Sequence, residues 1–187
     1  MAKTLIAFFS RADENYFGGT MRYVKVGNTE IVVDLMKDML PADTFKIEMK
    51  EPYSPVYMTC IDQAKKHLRQ GARPELVSLP DSIDEYDTII LGYPNYWGTM
   101  PMAIFTFLEA FDFSGKTILP FCTNEGSGMG KSEKDIRKIC VNANVVAGLS
   151  IKGSKAEDSG DSVRKWLNMN GLIEGGGNYG ISEGLCL

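Results

Sequence analysis

The chain has 187 residues, of which 44% are apolar and 24% charged, which suits one soluble domain with a sizeable core. Its net charge of −4, with no Lys/Arg run, gives no electrostatic footprint for nucleic acid. No apolar stretch approaches the ~20 residues of a bilayer span, and the run of about six before Arg11 is too short for a secretory signal, so a cytoplasmic protein is expected.

In chain order, residues 3–9 (KTLIAFF) are a near-continuous apolar run, as in a strand buried on both faces. Residues 29–40 (TEIVVDLMKDML) place Ile31, Val32, Leu35, Met36 and Met39 at helical spacing before Pro41. Residues 44–49 alternate like an edge strand, and residues 58–70 read as a polar helix closed by Gly71. Residues 76–85 are a loop. TIILGY (88–93) and TILPFC (117–122) are two further buried strands, separated by an apolar helix over 101–111 that starts on Pro101. A short helix over 132–140, a fourth buried strand VVAGLSI (145–151) and a helix beginning at 159 complete the pattern. Alternating strands and helices call for a parallel sheet covered on both faces. One domain over 1–173 is expected, with a Gly-rich, disordered tail over 174–187.

The cysteines, Cys60, Cys122, Cys140 and Cys186, never fall at CxxC spacing, which points away from zinc and from a dithiol pair. The one histidine, His67, lies among Lys65, Lys66 and Arg69 and reads as a solvated helix face, so no metal site and no His-based nucleophilic catalysis is expected.

Ligands of an open parallel sheet bind beyond the carboxyl ends of its strands. Three segments there are rich in Gly, Asn, Ser and Thr: SRADENYFGG…VGNT after the first strand, PNYWGTMP after the second central strand and TNEGSGMGKS after the third. Small polar residues at a helix start offer amides and hydroxyls to a phosphate. Tyr96 and Trp97 offer a flat apolar surface to a planar ring. The combination describes a mononucleotide-type cofactor. The GKS of the third loop is not a P-loop, because the required first glycine is Glu125. GSGMG likewise lacks the G-x-G-x-x-G dinucleotide spacing.

In element order and in all three loops the sequence resembles the flavodoxin family, over roughly 1–170. The resemblance implies a doubly wound five-stranded parallel sheet of order 2-1-3-4-5 with helices on both faces, and FMN as cofactor. Ser10 matches the start of the family's phosphate loop and Gly27, Asn28 and Thr29 its Gly-Asn-Thr end, with sixteen residues inserted between. By this resemblance Ser10, Asn28 and Thr29 hold the phosphate. Pro94, Asn95, Tyr96, Trp97 and Gly98, with Thr123, Asn124, Glu125, Gly126, Ser127 and Gly128, hold the ring, and the Gly98 peptide reorients toward the ring nitrogen. Other readings stand beside these: a Trp97 capping the core, a solvated Glu125, plain helix capping by Asn28-Thr29. The insertion is either a surface hairpin turning at Gly18-Gly19 or a flap that brings Asn15 and Tyr16 onto the cofactor. The third loop lacks the family's usual Tyr, so one ring face is more open, or covered by Tyr16 or Met129. The implied function is an electron carrier between redox enzymes, with transient redox partner proteins and no membrane. The alternative is an NAD(P)H-dependent FMN oxidoreductase of quinone-reductase type, for which Arg11 and Arg22 are candidate phosphate clamps. A weak charge of −4 argues against the acidic docking face of a carrier.

Overall fold

In the computed structural model, which describes residues 3–174, the first strand β1 (Thr4–Phe8) is buried throughout. Its side chains alternate between two cores: Leu5 and Ala7 to one side, Ile6 and Phe8 to the other. An antiparallel hairpin follows, β2 (Asp13–Phe17) and β3 (Thr20–Val24), turning at Gly18 and Gly19 with φ of 53° and 118°. Positive φ at both turn residues matches the right-handed twist of paired strands. The insertion is thus a hairpin turning at Gly18-Gly19, and it forms its own two-stranded sheet.

Helix α1 (Asn28–Lys37) buries Val32, Val33 and Met36. The short edge strand β4 (Asp43–Lys46) and helix α2 (Tyr57–Gln70) come next, and α2 ends on Gly71 in the left-handed conformation. Strand β5 (Thr88–Pro94), helix α3 (Met102–Glu109), strand β6 (Thr117–Asn124) and helix α4 (Ser132–Ile139) complete the central layers. The expected fourth buried strand is broken. It forms β7 (Asn144–Val145) and β8 (Leu149–Lys152), both parallel to β6, and only Ile151 among their residues is buried. The break has a local cause: Ala147 and Gly148 turn their backbones to side chains, Ala147 C=O accepting from Trp166 Nε1 and Gly148 N–H donating to Glu133. A 3₁₀ turn (Gly153–Lys155) leads to helix α5 (Gly160–Met169).

The sheet runs β4-β1-β5-β6-β7, with β8 also on β6, and every pairing is parallel. With β7 and β8 counted as one broken edge, this is the expected 2-1-3-4-5 order. Side chains of α2, α3 and α4 pack on one face with Leu5, Ile89 and Ile118. Those of α1 and α5 pack on the other with Ile6, Ile90 and Leu119. His67 is not freely solvated: its ring is half-buried and its Nδ1 lies 3.1 Å from the Tyr53 hydroxyl. No helix among the described residues is long and apolar enough to cross a membrane, and no cluster of potential metal ligands occurs among them. Apart from Glu174, the tail expected over 174–187 lies outside the described residues.

Candidate functional site

A cavity of about 380 Å³ opens at the carboxyl ends of β1, β5, β6 and β8, where parallel topology predicts a ligand and within the size range of small-molecule sites. Of the residues singled out from the sequence, Asn15, Tyr16, Asn28, Thr29, Pro94, Asn95, Tyr96, Trp97, Gly98, Thr123, Asn124, Glu125 and Ser127 line it. Ser10, Gly27, Gly126 and Gly128 do not. Arg11, Tyr57, Ile61, Ala64 and Gly153 complete the wall.

One end is made by the start of α1. Gly27 precedes the helix in an extended conformation and supplies no side-chain cap. Instead Ser10 Oγ accepts the Glu30 amide at 3.1 Å, so Ser10 acts from beneath the helix end. The Asn28 and Thr29 amides, which no helical carbonyl can reach, find no acceptor among the described residues. They leave two directed N–H groups and the positive end of the helix dipole for an anion. Position 27 admits only glycine: a Cβ there would lie 2.4 Å from both Arg11 O and Ser10 Oγ. Gly153 makes a similar close approach, since its Cβ would lie 2.4 Å from Asn28 Nδ2. The Thr29 and Thr123 hydroxyls bond to each other at 2.8 Å and are buried. One hydrogen serves that bond, leaving the other hydroxyl hydrogen for a ligand acceptor.

The other end is built on a tight turn. Tyr96 and Thr99 exchange backbone hydrogen bonds of 2.8 and 3.2 Å, and the two residues between them, Trp97 and Gly98, have φ of 55° and 82°. A tryptophan in this region costs about 1–2 kcal/mol, so the turn must be held from outside. Asn95 does this on both sides, Oδ1 accepting the Gly98 amide at 2.9 Å and Nδ2 donating to Gly128 O at 2.8 Å. Lys131 N–H donates to Gly98 O at 2.8 Å. Reorientation of the Gly98 peptide would break its bond to Asn95. Trp97 does not cap the core. It is 45% exposed, its Nε1 donates to Ile61 O at 2.8 Å, and Lys65 Nζ sits 4.4 Å above its ring. Tyr96 packs edge-on against Phe9 at 6.2 Å.

The hairpin spans the mouth between these walls. At its base Glu14 Oε2 accepts the Tyr57 amide at 2.8 Å, which caps α2, and Glu14 N–H donates to Pro55 O at 3.2 Å. At its tip a Cβ on Gly18 would lie 3.5 Å from Glu125 Oε2. Asn15 Nδ2 ties the hairpin entry by donating to Arg11 O and Ala12 O, 3.1 Å each. The Tyr16 ring stacks on Tyr57, centroids 6.2 Å apart and planes 29° apart. Of the two residues suggested for covering the ring, Tyr16 lines the cavity and Met129 packs into the core instead. Arg22 is exposed on the outer strand, over Phe17. Glu125 is not simply solvated either: its Oε1 accepts the Ser154 amide at 2.6 Å. Asn124 Oδ1 accepts the Gly126 and Gly128 amides at 2.9 Å each, so those two glycines shape the third loop from outside the cavity.

Burial pushes the Tyr57, Tyr96 and Cys60 groups above their usual titration ranges. The arrangement offers fixed amides and hydroxyls at one end and tyrosine and tryptophan at the other.

The contribution of α2 is missing from a reading confined to loops after strands. Its signal is the spacing of Tyr57, Ile61 and Ala64, one face of an otherwise polar helix. Gly153 follows the last strand and falls under the same carboxyl-end rule as the other three loops.

Known proteins share this architecture. A candidate flavoprotein from Bacteroides uniformis superposes with a TM-score of 0.72 at 27% identity, covering 89% of this chain and 98% of its own. One from Bacteroides eggerthii gives 0.72 at 24% identity, with coverages of 90% and 98%. A Lactobacillus acidophilus flavoprotein solved in complex with FMN gives 0.59 at 16% identity, with coverages of 84% and 98%, a likeness of fold. A search of curated proteins finds no significant match. The family model for flavodoxin matches residues 20–170, from the second hairpin strand through the last helix, and with the parallel order and the cavity above it places this chain in the flavodoxin family.

Proposed function

We propose that the protein binds FMN in this cavity and serves as a flavodoxin-type carrier, passing electrons between redox enzymes through transient contacts. The observation that carries the reading is the division of one cavity into two chemistries. The open amides of Asn28 and Thr29 suit the phosphate. The Tyr16–Tyr57 pair, Trp97 and the turn at Gly98 suit a planar ring. The cofactor would supply the electron chemistry. The protein's part is to bind, orient and desolvate it. Cytoplasmic location belongs to the same reading.

A second reading, an NAD(P)H-dependent FMN oxidoreductase, is favoured by one observation. The third loop meets the cavity with Thr123, Asn124, Glu125 and Ser127 and no aromatic side chain, which leaves that side open to a nicotinamide. Titration of the FMN-loaded protein separates the two. Reduction by dithionite in two resolved one-electron stages, with no bleaching by NADPH, is expected of the carrier. Rapid bleaching of the flavin by NADPH would establish the enzyme instead.

A further inference from the structure

Among the described residues Arg11 is the one cationic side chain on the cavity wall, and the neighbours that hold it do not neutralise it. Its Nη1 donates to Glu14 O at 2.5 Å and to Asn15 Oδ1 at 3.3 Å; its Nη2 donates to Ser54 O and Pro55 O at 2.8 Å each. All four acceptors are neutral. Its Nε is buried and lacks a partner. No carboxylate forms an ion pair with it among the described residues. A guanidinium fixed by four dipoles and no counter-charge is costly in a half-buried position, unless a negative charge arrives with a ligand. Its place is the aromatic end of the cavity: the guanidinium bonds to Asn15 and Pro55, which stand just before the stacked Tyr16 and Tyr57.

We propose that Arg11 is the counter-charge to the reduced cofactor ring and sets its potential, a role that rests on the FMN reading above. Uptake of two electrons and one proton from an external reductant leaves the flavin ring one unit more negative than the oxidised ring at neutral pH. A fixed cation beside the ring binds that form more tightly than the oxidised one. Arg11 thus acts on the equilibrium between the two forms, with no proton transfer of its own. Its fork also ties the hairpin to residues 54–55, so a merely structural role must be told apart from an electrostatic one.

The test is a redox titration of FMN-loaded variants with dithionite and an equilibrating dye, alongside the Kd of oxidised FMN. Arg11→Gln should weaken reduced FMN roughly tenfold relative to oxidised FMN, which lowers the two-electron midpoint by about 30 mV. Arg11→Lys keeps the charge but loses the fork, and should stay near the wild-type potential. Glu14→Gln loosens the same hairpin at Tyr57 while removing a negative charge, and should leave the midpoint unchanged or raise it. A fall in both Arg11→Gln and Glu14→Gln, or a fall in Arg11→Lys as large as in Arg11→Gln, would show hairpin loosening and overturn the proposal. So would an unmoved potential in Arg11→Gln. If Arg11→Gln does not retain FMN, Arg11→Lys decides: a wild-type potential supports the charge, a lowered one overturns it. Failure of the wild type to take up FMN refutes the FMN reading, and this role with it.

Discussion

The two sides of the cavity are built by different means. The α1 side rests on the sheet: β1 is buried at every residue, and main chain meets main chain at Gly27 with no room for a methyl group. The hairpin side rests on polar ties. Strands β2 and β3 contain no buried residue, and they are held by Arg11, by Glu14 at the start of α2 and by the Tyr16–Tyr57 stack. Apolar burial makes the first side part of the global fold. The second should open locally without unfolding the rest. The contrast suggests a rigid anchor for a phosphate, with an adjustable wall over the ring.

Hydrogen exchange tests the contrast directly. Amides of β1 and β5 should exchange on the order of a hundredfold more slowly than those of β2 and β3; equal protection would erase the distinction. Gly27→Ala should come next in size. Its Cβ collides with backbone and not only with a flexible tip, so a loss of about 2–3 kcal/mol and a lower Tm are expected in thermal unfolding. The double variant Asn28→Ala with Thr29→Ala stays on the anchored side: it keeps the two open amides and removes the Thr29 hydroxyl and the Asn28 side chain from the cavity wall. FMN affinity measured by titration should fall tenfold or more. The smallest effect is expected across the cavity. Tyr16→Ala should weaken FMN by about 0.5–1.5 kcal/mol and leave Tm within about 2 °C, since the residue is 38% exposed. A large Tm loss in Tyr16→Ala would mean that the hairpin belongs to the core after all.

The same contrast decides what the sequence reveals. TIILGY and TILPFC stand out because a strand buried on both faces must be apolar throughout, and both form central strands. VVAGLSI has the same composition yet forms a broken edge, because edge pairing leaves its backbone free to serve Glu133 and Trp166. DENYF and TMRYV carry no apolar alternation, and only Gly18-Gly19 marks the hairpin they make. Site residues after the central strands are legible from the carboxyl-end rule, and most of them line the cavity. Ser10 lies off the cavity wall for a reason that spacing cannot show: its hydroxyl accepts the Glu30 amide of α1. Tyr57, Ile61 and Ala64 are hidden in a helix whose polar character dominates its pattern.

The most direct measurement is addition of the ligand-free protein to FMN while the flavin fluorescence is followed. Quenching should saturate at one FMN per chain and weaken in the Asn28→Ala, Thr29→Ala variant. Fluorescence that stays unchanged as folded protein is added would contradict it.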